Sequence, residues 1–396
     1  MNTAIQLQKI TLAAAFSFLA VAASAQKVDV KKQFANAANQ TTFMLSQIQT
    51  ADTTGNKVSP RTFENGKFKL VKSSDWTSGF FPGELWFLYD YTHDTKWLKQ
   101  AEIYTAKIEK EQYNKGTHDL GFMINCSFGN AYQATHNEAY KKVLIQAAKS
   151  LSTRFNPKTG VIRSWDHNAD QWKNPVIIDN MMNLELLFEA TRFTGDSSFY
   201  KIAVSHADHT MKNHFRADYS SYHVVDYDPE TGAVIKKQTH QGYSDESAWA
   251  RGQAWGLYGF TMCYRETHNK KYLEQAQHIA KFIFSNPNMP KDLVPYWDYN
   301  DPQIPNVSRD ASAAAITASA LYELAGYSKG NDYKQKADMI LSSLSSSAYL
   351  SPADQNAGFI LLHSTGHRPA KSEIDVPINY ADYYYLEALL RSKGLK

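Results

Sequence analysis

Ser247-Ala-Trp-Ala-Arg-Gly-Gln-Ala-Trp-Gly-Leu-Tyr-Gly-Phe-Thr-Met-Cys-Tyr-Arg-Glu-Thr-His-Asn-Lys-Lys-Tyr-Leu-Glu-Gln-Ala276 contains the unit from which the chain is built. From Ala254 through Phe260, Met262 and Cys263 it is apolar on nearly every side, the pattern of an enclosed helix. Glu266-Thr-His-Asn-Lys-Lys-Tyr272 is a short polar turn that closes on an aromatic. Tyr272 to Lys281 is amphipathic, as an outer helix is. Helix, turn and helix together predict an antiparallel hairpin. The leading end is different. Trp249, Arg251, Gln253 and Trp255 recur every two residues, which predicts a link still entering the helix. A guanidinium between two indoles is costly to bury without a partner. Two readings stay open: a ligand carboxylate gripped by the Arg fork, or a neighbouring Asp that satisfies the Arg in the core.

The same plan recurs along the chain. Tyr91 to Trp97 precedes Ala101, Ala134 to Tyr140 precedes Ala147, Ala190 to Tyr200 precedes Ala203, and Leu324 to Tyr333 precedes Ala337. With a first and a last helix added, twelve helices are expected. They span about 28–49, 79–93, 96–112, 121–135, 137–154, 180–193, 197–214, 249–267, 270–285, 311–325, 332–346 and 378–391. The first helix of each pair is apolar all round and the second amphipathic. Six inner helices ringed by six outer ones make an all-α (α/α)6 barrel, and one closed core makes residues 26–396 a single domain.

The 396 residues carry a formal charge of +3 with no basic block, which argues against nucleic-acid binding. Residues 1–25 have the form of a signal peptide: Lys9 is their only charge, Ile10 to Ala23 is mostly apolar, and Ala23-Ser-Ala25 is a cleavage site. Export to a bacterial periplasm is therefore expected, with no membrane association after cleavage. The two cysteines, Cys126 and Cys263, sit in apolar helical contexts and read as buried free thiols. No zinc-site spacing, P-loop or G-x-G-x-x-G is present, so neither a metal nor a cofactor is expected.

The inner-to-outer turns are short, whereas the outer-to-inner links are mostly long. The links gather the unusual residues on one mouth of the barrel: Asp75-Trp76, His118-Asp119, Trp165-Asp-His167, Asp179-Asn180, His223, His240-Gln241, Ser308-Arg-Asp310 and Asn379-Tyr-x-Asp382. Taken singly, Asp75, Asp119, Asp179 and Asp310 read as helix N-caps. Arg309 and Asp310 read as partners of each other, and His118 as a helix-end hydrogen bond. Asp119 and Asp179 precede consecutive inner helices and so should be neighbours. Two close carboxylates suit acid/base work, because one raises the pKa of the other. The helix N-terminus pulls the opposite way.

Several stretches resemble the unsaturated glucuronyl hydrolases of glycoside hydrolase family 88. They are Asp75-Trp-Thr-Ser-Gly-Phe-Phe-Pro-Gly-Glu-Leu-Trp86, His118-Asp-Leu-Gly-Phe122, Asp179-Asn-Met-Met-Asn-Leu184, Trp249-Ala-Arg-Gly-Gln-Ala-Trp255, Arg309-Asp-Ala-Ser-Ala313 and Asp382-Tyr-Tyr-Tyr-Leu-Glu-Ala388. Together they cover essentially the whole mature chain. The resemblance implies an (α/α)6 barrel. It also implies a substrate oligosaccharide, of glycosaminoglycan type, with a 4,5-unsaturated uronic acid at its non-reducing end. Hydrolysis then begins by hydrating the C4=C5 enol ether. The position of Asp179 implies the acid that protonates C4 and then, as base, activates the water that adds at C5. Asp119 is implied as a second catalytic carboxylate. His223, Gln241, Trp249, Arg251 and Trp255 are implied to line the uronate subsite, with Trp76 and Trp165 as stacking positions. Any sulfates on the next sugar would be read by the links holding Arg61, Lys67, Lys69, Lys236 and Lys237. The Trp-x-Arg-Gly-Gln-x-Trp stretch is also similar to unsaturated rhamnogalacturonyl hydrolases. A conventional inverting glycosidase using the same two carboxylates, a sugar epimerase of similar barrel shape and a non-catalytic glycan-binding protein are the remaining alternatives.

Overall fold

The computed structural model describes residues 28–51 and 53–396, so the expected signal peptide of residues 1–25 lies outside them. Twelve α-helices follow in order. They are α1 (Val30–Thr50), α2 (Phe80–Thr92), α3 (Thr95–Ala106), α4 (Asn130–Thr135), α5 (Glu138–Ser152) and α6 (Leu184–Thr194). Next come α7 (Ser197–Asn213), α8 (Ala250–Thr267), α9 (Lys270–Ser285), α10 (Ala311–Tyr327), α11 (Tyr333–Leu344) and α12 (Asn379–Arg391). The even-numbered helices are the inner ring and the odd-numbered the outer ring of an (α/α)6 barrel. In α8 every residue from Ala250 to Cys263 is buried, and in α10 every residue from Ala311 to Leu321. Outer helix α9 buries only Tyr272, Gln275, Ala276, Ile279, Ala280 and Ile283, one stripe at helical spacing.

The recurring hairpin sequence has a local cause. His93, His136 and His268 end α2, α4 and α8 in the left-handed conformation, each passing its N–H to the carbonyl four residues back. Gly195 does the same after α6. The next residue (Asp94, Asn137, Asp196 or Asn269) then caps the following outer helix through its side chain. The preceding Thr hydroxyl (Thr92, Thr135, Thr194, Thr267) accepts that cap residue's own N–H. Thr-His-Asn is thus a complete stop-and-restart signal, and it brings each outer helix back against its inner partner.

Three expectations need correction. The helix expected over 121–135 opens as a π-helix from Gly121 to Gly129 before α4 begins. Gly121 presses on Asn183, whose Cα would lie 2.5 Å from any added Cβ, and the Phe122 N–H donates to Asn183 Oδ1 at 3.0 Å. The helix expected over 180–193 opens as a 3-10 turn, Ile178–Asn183. The run from Trp249 is helical sooner than its spacing suggested. Only Trp249 is extended, and its carbonyl already accepts the Gln253 N–H at 3.1 Å. Arg251, Gln253 and Trp255 are therefore helix residues.

The long links add small antiparallel sheets at the mouth. Lys57–Glu64 pairs with Lys67–Lys72, and Ser364–His367 with Ser372–Val376. A three-stranded sheet joins Pro175–Ile177, Val224–Tyr227 and Val234–Gln238. Among the described residues no helix is long and apolar enough to cross a membrane, and both cysteines are free.

Candidate active site

The mouth formed by the leading ends of the inner helices holds a cavity of about 220 Å³. Trp76, Gly116, Thr117, His118, Asp119, Trp165, His167, Ile177, Asp179 and Gln241 line it. A larger bowl of about 580 Å³ lies at the opposite mouth, among Glu185, Glu189, Arg192, Arg265, Glu323 and Arg391. There the arginines occupy the last turns of α6, α8 and α12 and are paired with glutamates. Cations at helix C-termini answer the backbone dipoles, which explains the bowl's charge without chemistry. The smaller cavity is where the acidic and aromatic residues converge.

Four aspartates were alike in sequence, and the structure separates them. Asp310 is a helix cap, accepting the N–H groups of Ser312 and Ala313, and it is also ion-paired with Arg251 at 2.8 Å. Asp75 accepts the Thr77 N–H at 2.9 Å and pairs with Arg61. Asp119 and Asp179 do neither. Asp119 Oδ2 accepts the Thr117 hydroxyl at 2.6 Å, and its Oδ1 lies 3.2 Å from His118 Nε2. Asp179 sits at the start of the 3-10 turn, 7% exposed, and its Oδ2 is buried with no hydrogen-bond partner. Burial pushes the Asp179 carboxyl up to about 7. The Arg251 charge opposes that rise, Asp119 adds to it, and the nearby Trp255 indole opposes it. A carboxyl poised near neutrality with one free oxygen can give a proton and take one back.

His223 stands over that free oxygen, with Nε2 at 3.6 Å from Asp179 Oδ2. Its Nδ1 accepts the backbone N–H groups of His240 and Gln241, each at 3.1 Å. The proton of the neutral ring is therefore on Nε2, facing Asp179. Burial, reinforced by His240, His367 and Arg251, holds His223 well below the usual imidazole range. It is a fixed neutral donor. Gln241 lines the cavity, and its Nε2 reaches the Gly366 carbonyl at 3.2 Å.

Arg251 is placed differently from the expectation. It is flanked by Trp249 and Tyr380, not by two indoles, with centroid distances of 4.5 and 5.2 Å. Nη1 donates to Asp310 (2.8 Å) and to the Thr365 carbonyl, and Nη2 to the Gly366 carbonyl at 2.6 Å. Only Nε, buried and without a partner, and the second Nη2 hydrogen remain. The neighbouring-Asp reading thus accounts for most of its charge. Arg309 and Asp310 do not pair with each other: Arg309 turns to Asp292 at 3.2 Å. Gln253 is structural, accepting the Ser221 N–H at 2.7 Å and donating to the Tyr219 carbonyl.

Trp76 and Trp165 both line the cavity. Trp165 stacks on His167 at 5.0 Å, and Trp76 packs edge-on against Phe122 at 5.4 Å. Trp255 lies deeper, between Phe122 and Tyr384. Trp249 packs on His223 at 4.8 Å and forms the wall behind it. Arg61, considered for sulfate reading, is bound by Asp75 and Glu373. Sequence reasoning placed His167 at this mouth but missed Thr117 as a lining residue, and nothing in a lone Thr marks it until the chain closes.

Comparison with known proteins agrees with this geometry. Residues 49–390 match the family described as Glycosyl Hydrolase Family 88. The chain is 52% identical over 326 residues to an unsaturated glucuronyl hydrolase of Formosa agariphila, covering 82% of each chain. It is 36% identical over 337 residues to one of Bacillus sp. strain GL1, covering 83% of this chain and 88% of the relative. A crystal structure of an unsaturated glucuronyl hydrolase specific for heparin superposes with a TM-score of 0.88 at 48% identity, covering 92% of this chain and 97% of the other.

Proposed function

Because the chain belongs to glycosyl hydrolase family 88, we propose that it is an unsaturated glucuronyl hydrolase, releasing the 4,5-unsaturated uronic acid from lyase-generated oligosaccharides of glycosaminoglycan type. The observation that carries the reading is the buried Asp179 carboxyl, its Oδ2 unpartnered, beside Asp119 and beneath His223.

Hydration of an enol ether needs a proton at C4 and a hydroxyl at C5. Asp179, protonated in part near neutral pH, gives the proton to C4. Electron density leaves the C4=C5 bond, and the ring oxygen stabilises the cation left at C5. Asp179, now ionised, takes a proton from the water that adds there. The hemiketal at C5 then opens and expels the remaining sugar, leaving an open-chain keto acid. Each turnover consumes one water and returns Asp179 to its starting state. Positioned acid–base catalysis of this kind is worth roughly 10²–10⁴-fold.

The other residues hold the ring. The Nε2–H of His223 remains a donor throughout, stabilising the ionised Asp179 between the two proton transfers. Trp76 and Trp165 offer faces to the sugar. The free Nε edge of Arg251 is the donor left for the uronate carboxylate, and Gln241 and the wall formed by Trp249 and Trp255 complete the subsite. Asp119, held by Thr117, keeps a negative group beside Asp179. The cavity's residues supply an acid, a base and donors. Export to the periplasm is part of the proposal and rests on the sequence of residues 1–25; the N-terminal residue of the secreted protein tests it.

The experiment follows absorbance of the unsaturated uronate on a lyase-generated disaccharide. Loss of the ultraviolet band, abolished in Asp179→Asn, is expected. Cleavage of a saturated substrate with no requirement for the double bond would replace this reading with that of an ordinary inverting glycosidase.

A further inference from the structure

We propose that Arg154 is a positioning residue for substrate binding: its guanidinium fastens the link that carries Thr117 and Asp119 to the link that carries Trp165 and His167, and so holds these two walls of the cavity ready-formed. The inference deepens the function proposed above and rests on it for its catalytic consequence.

Arg154 follows the end of α5 and lines no part of the cavity. Its side chain is only 5% exposed, and its hydrogen bonds run to both links. Nη1 donates to the Lys115 carbonyl at 2.6 Å, just before the cavity residues Gly116, Thr117, His118 and Asp119. Nε donates to the Arg163 carbonyl at 2.8 Å. Nη1 and Nη2 close a two-pronged pair on the Asp166 carboxylate at 3.0 and 2.9 Å. Asp166 is the residue between Trp165 and His167, both of which line the cavity. A planar guanidinium can serve two carbonyls and a carboxylate in fixed directions, and an ammonium cannot.

Asp166 is about half exposed, so the ion pair by itself contributes little to stability. What it fixes is position. Trp165 and His167 stack at 5.0 Å with their planes 28° apart. Pinning the residue that joins them removes freedom from both rings before a sugar arrives, and such preorganisation shows in affinity. Arg163, which is more exposed, supports the same turn: its Nε lies 3.3 Å from Asp166 Oδ1 and donates to the Trp165 carbonyl at 3.1 Å. The hydrogen bond from Arg154 leads the causes that hold the Asp166 carboxyl below the usual carboxylate range, so the pair stays charged where Asp179 titrates. The two links also meet through one backbone bond, from the His118 N–H to the Ser164 carbonyl at 3.1 Å. A change at Arg154 leaves that bond in place. The links then stay adjacent, while the Trp165–His167 turn and the Lys115 end are released.

The test compares the full chain with two variants. Arg154→Lys keeps the charge and loses the fork. Asp166→Asn keeps the shape at a half-exposed position, and it decides the question if Arg154→Lys does not fold. KM for a lyase-generated unsaturated disaccharide should rise roughly tenfold in Arg154→Lys, with kcat within about threefold of wild type. Asp166→Asn should raise KM less, and the double variant should be no worse than Arg154→Lys alone. Without substrate, amide hydrogen exchange should quicken at residues 115–119 and 163–167 in both variants and stay unchanged in the helix ends at the opposite mouth. A folded variant with wild-type exchange in both links overturns the proposal. So does a loss confined to kcat with KM unchanged. The exchange measurement needs no sugar, so its outcome is separable from failure of the proposed activity.

Discussion

His223 Nε2 stands 3.6 Å from Asp179 Oδ2, and neither atom has a hydrogen-bond partner. Two backbone N–H groups fix the tautomer of the first, and burial sets the protonation of the second. The two atoms are too close for a substrate atom to sit between them, so the Nε2–H acts on the Asp179 carboxyl itself. Replacing His223 by Gln keeps a donor, whereas Leu removes it. His223→Leu should lose roughly 10²-fold or more in kcat and His223→Gln markedly less, measured by initial rates of double-bond loss. Equal losses would show that the donor is not what matters.

The acid must be protonated to act, and burial raises Asp179 to about 7. Activity should therefore fall as pH rises through that value. Asp119 contributes to the rise, so Asp119→Asn should move this limb to lower pH as well as slow the reaction. A pH series of kcat/KM on both proteins checks the sign. A limb that moves upward in Asp119→Asn contradicts the proposed coupling.

A second carboxyl pair affects stability and not catalysis. Glu84 on α2 is 2% exposed with Oε1 unpartnered, and Asp382 on α12 accepts the N–H groups of Ile360 and Leu361. Burial raises both, Asp382 to about 8, and Asp382 raises Glu84 further. Because the folded pKa values lie above the unfolded ones near 4, the stabilising effect is full below pH ~4. It is lost progressively as pH rises towards about 8. Glu84→Gln, which stays neutral, should flatten that loss and raise Tm at pH 8 by roughly 2 °C. Thermal melts between pH 5 and 9 measure it, and parallel curves for both proteins would refute the assignment.

Arg251 ties three links together. It joins α8 to the cap residue of α10 and to the Ser364–His367 strand through two carbonyls. Breaking a buried ion pair from one side costs about 3–5 kcal/mol, because the other charge is stranded. Asp310→Asn should therefore lower the unfolding free energy by that order and also reduce activity, although Asp310 lines no part of the cavity. Chemical denaturation gives the first and rates the second. A variant as stable as wild type would mean that the pair contributes little.

The barrel was legible because each of its signals is local. A Thr-His-Asn turn ends one helix and caps the next from within a few residues. All-round apolarity against a single stripe distinguishes inner from outer helices. The family resemblance was legible for the same reason, in short stretches read in order.

The site was legible only as a set of candidates, since N-caps and catalytic acids are both aspartates before helices. The sequence alone determined that acidic, aromatic and basic side chains gather at one mouth, because hairpin spacing puts every long link there. Only the tertiary structure decided that Asp310 and Asp75 cap and pair while Asp179 is left with a free oxygen. Only the fold also showed Arg251 mostly spent on Asp310 and two carbonyls. The physical reason is that hydrogen-bond saturation and burial depend on partners more than forty residues away, such as Thr365 for Arg251 and His223 for Asp179. No spacing along the chain encodes which donors and acceptors those partners consume.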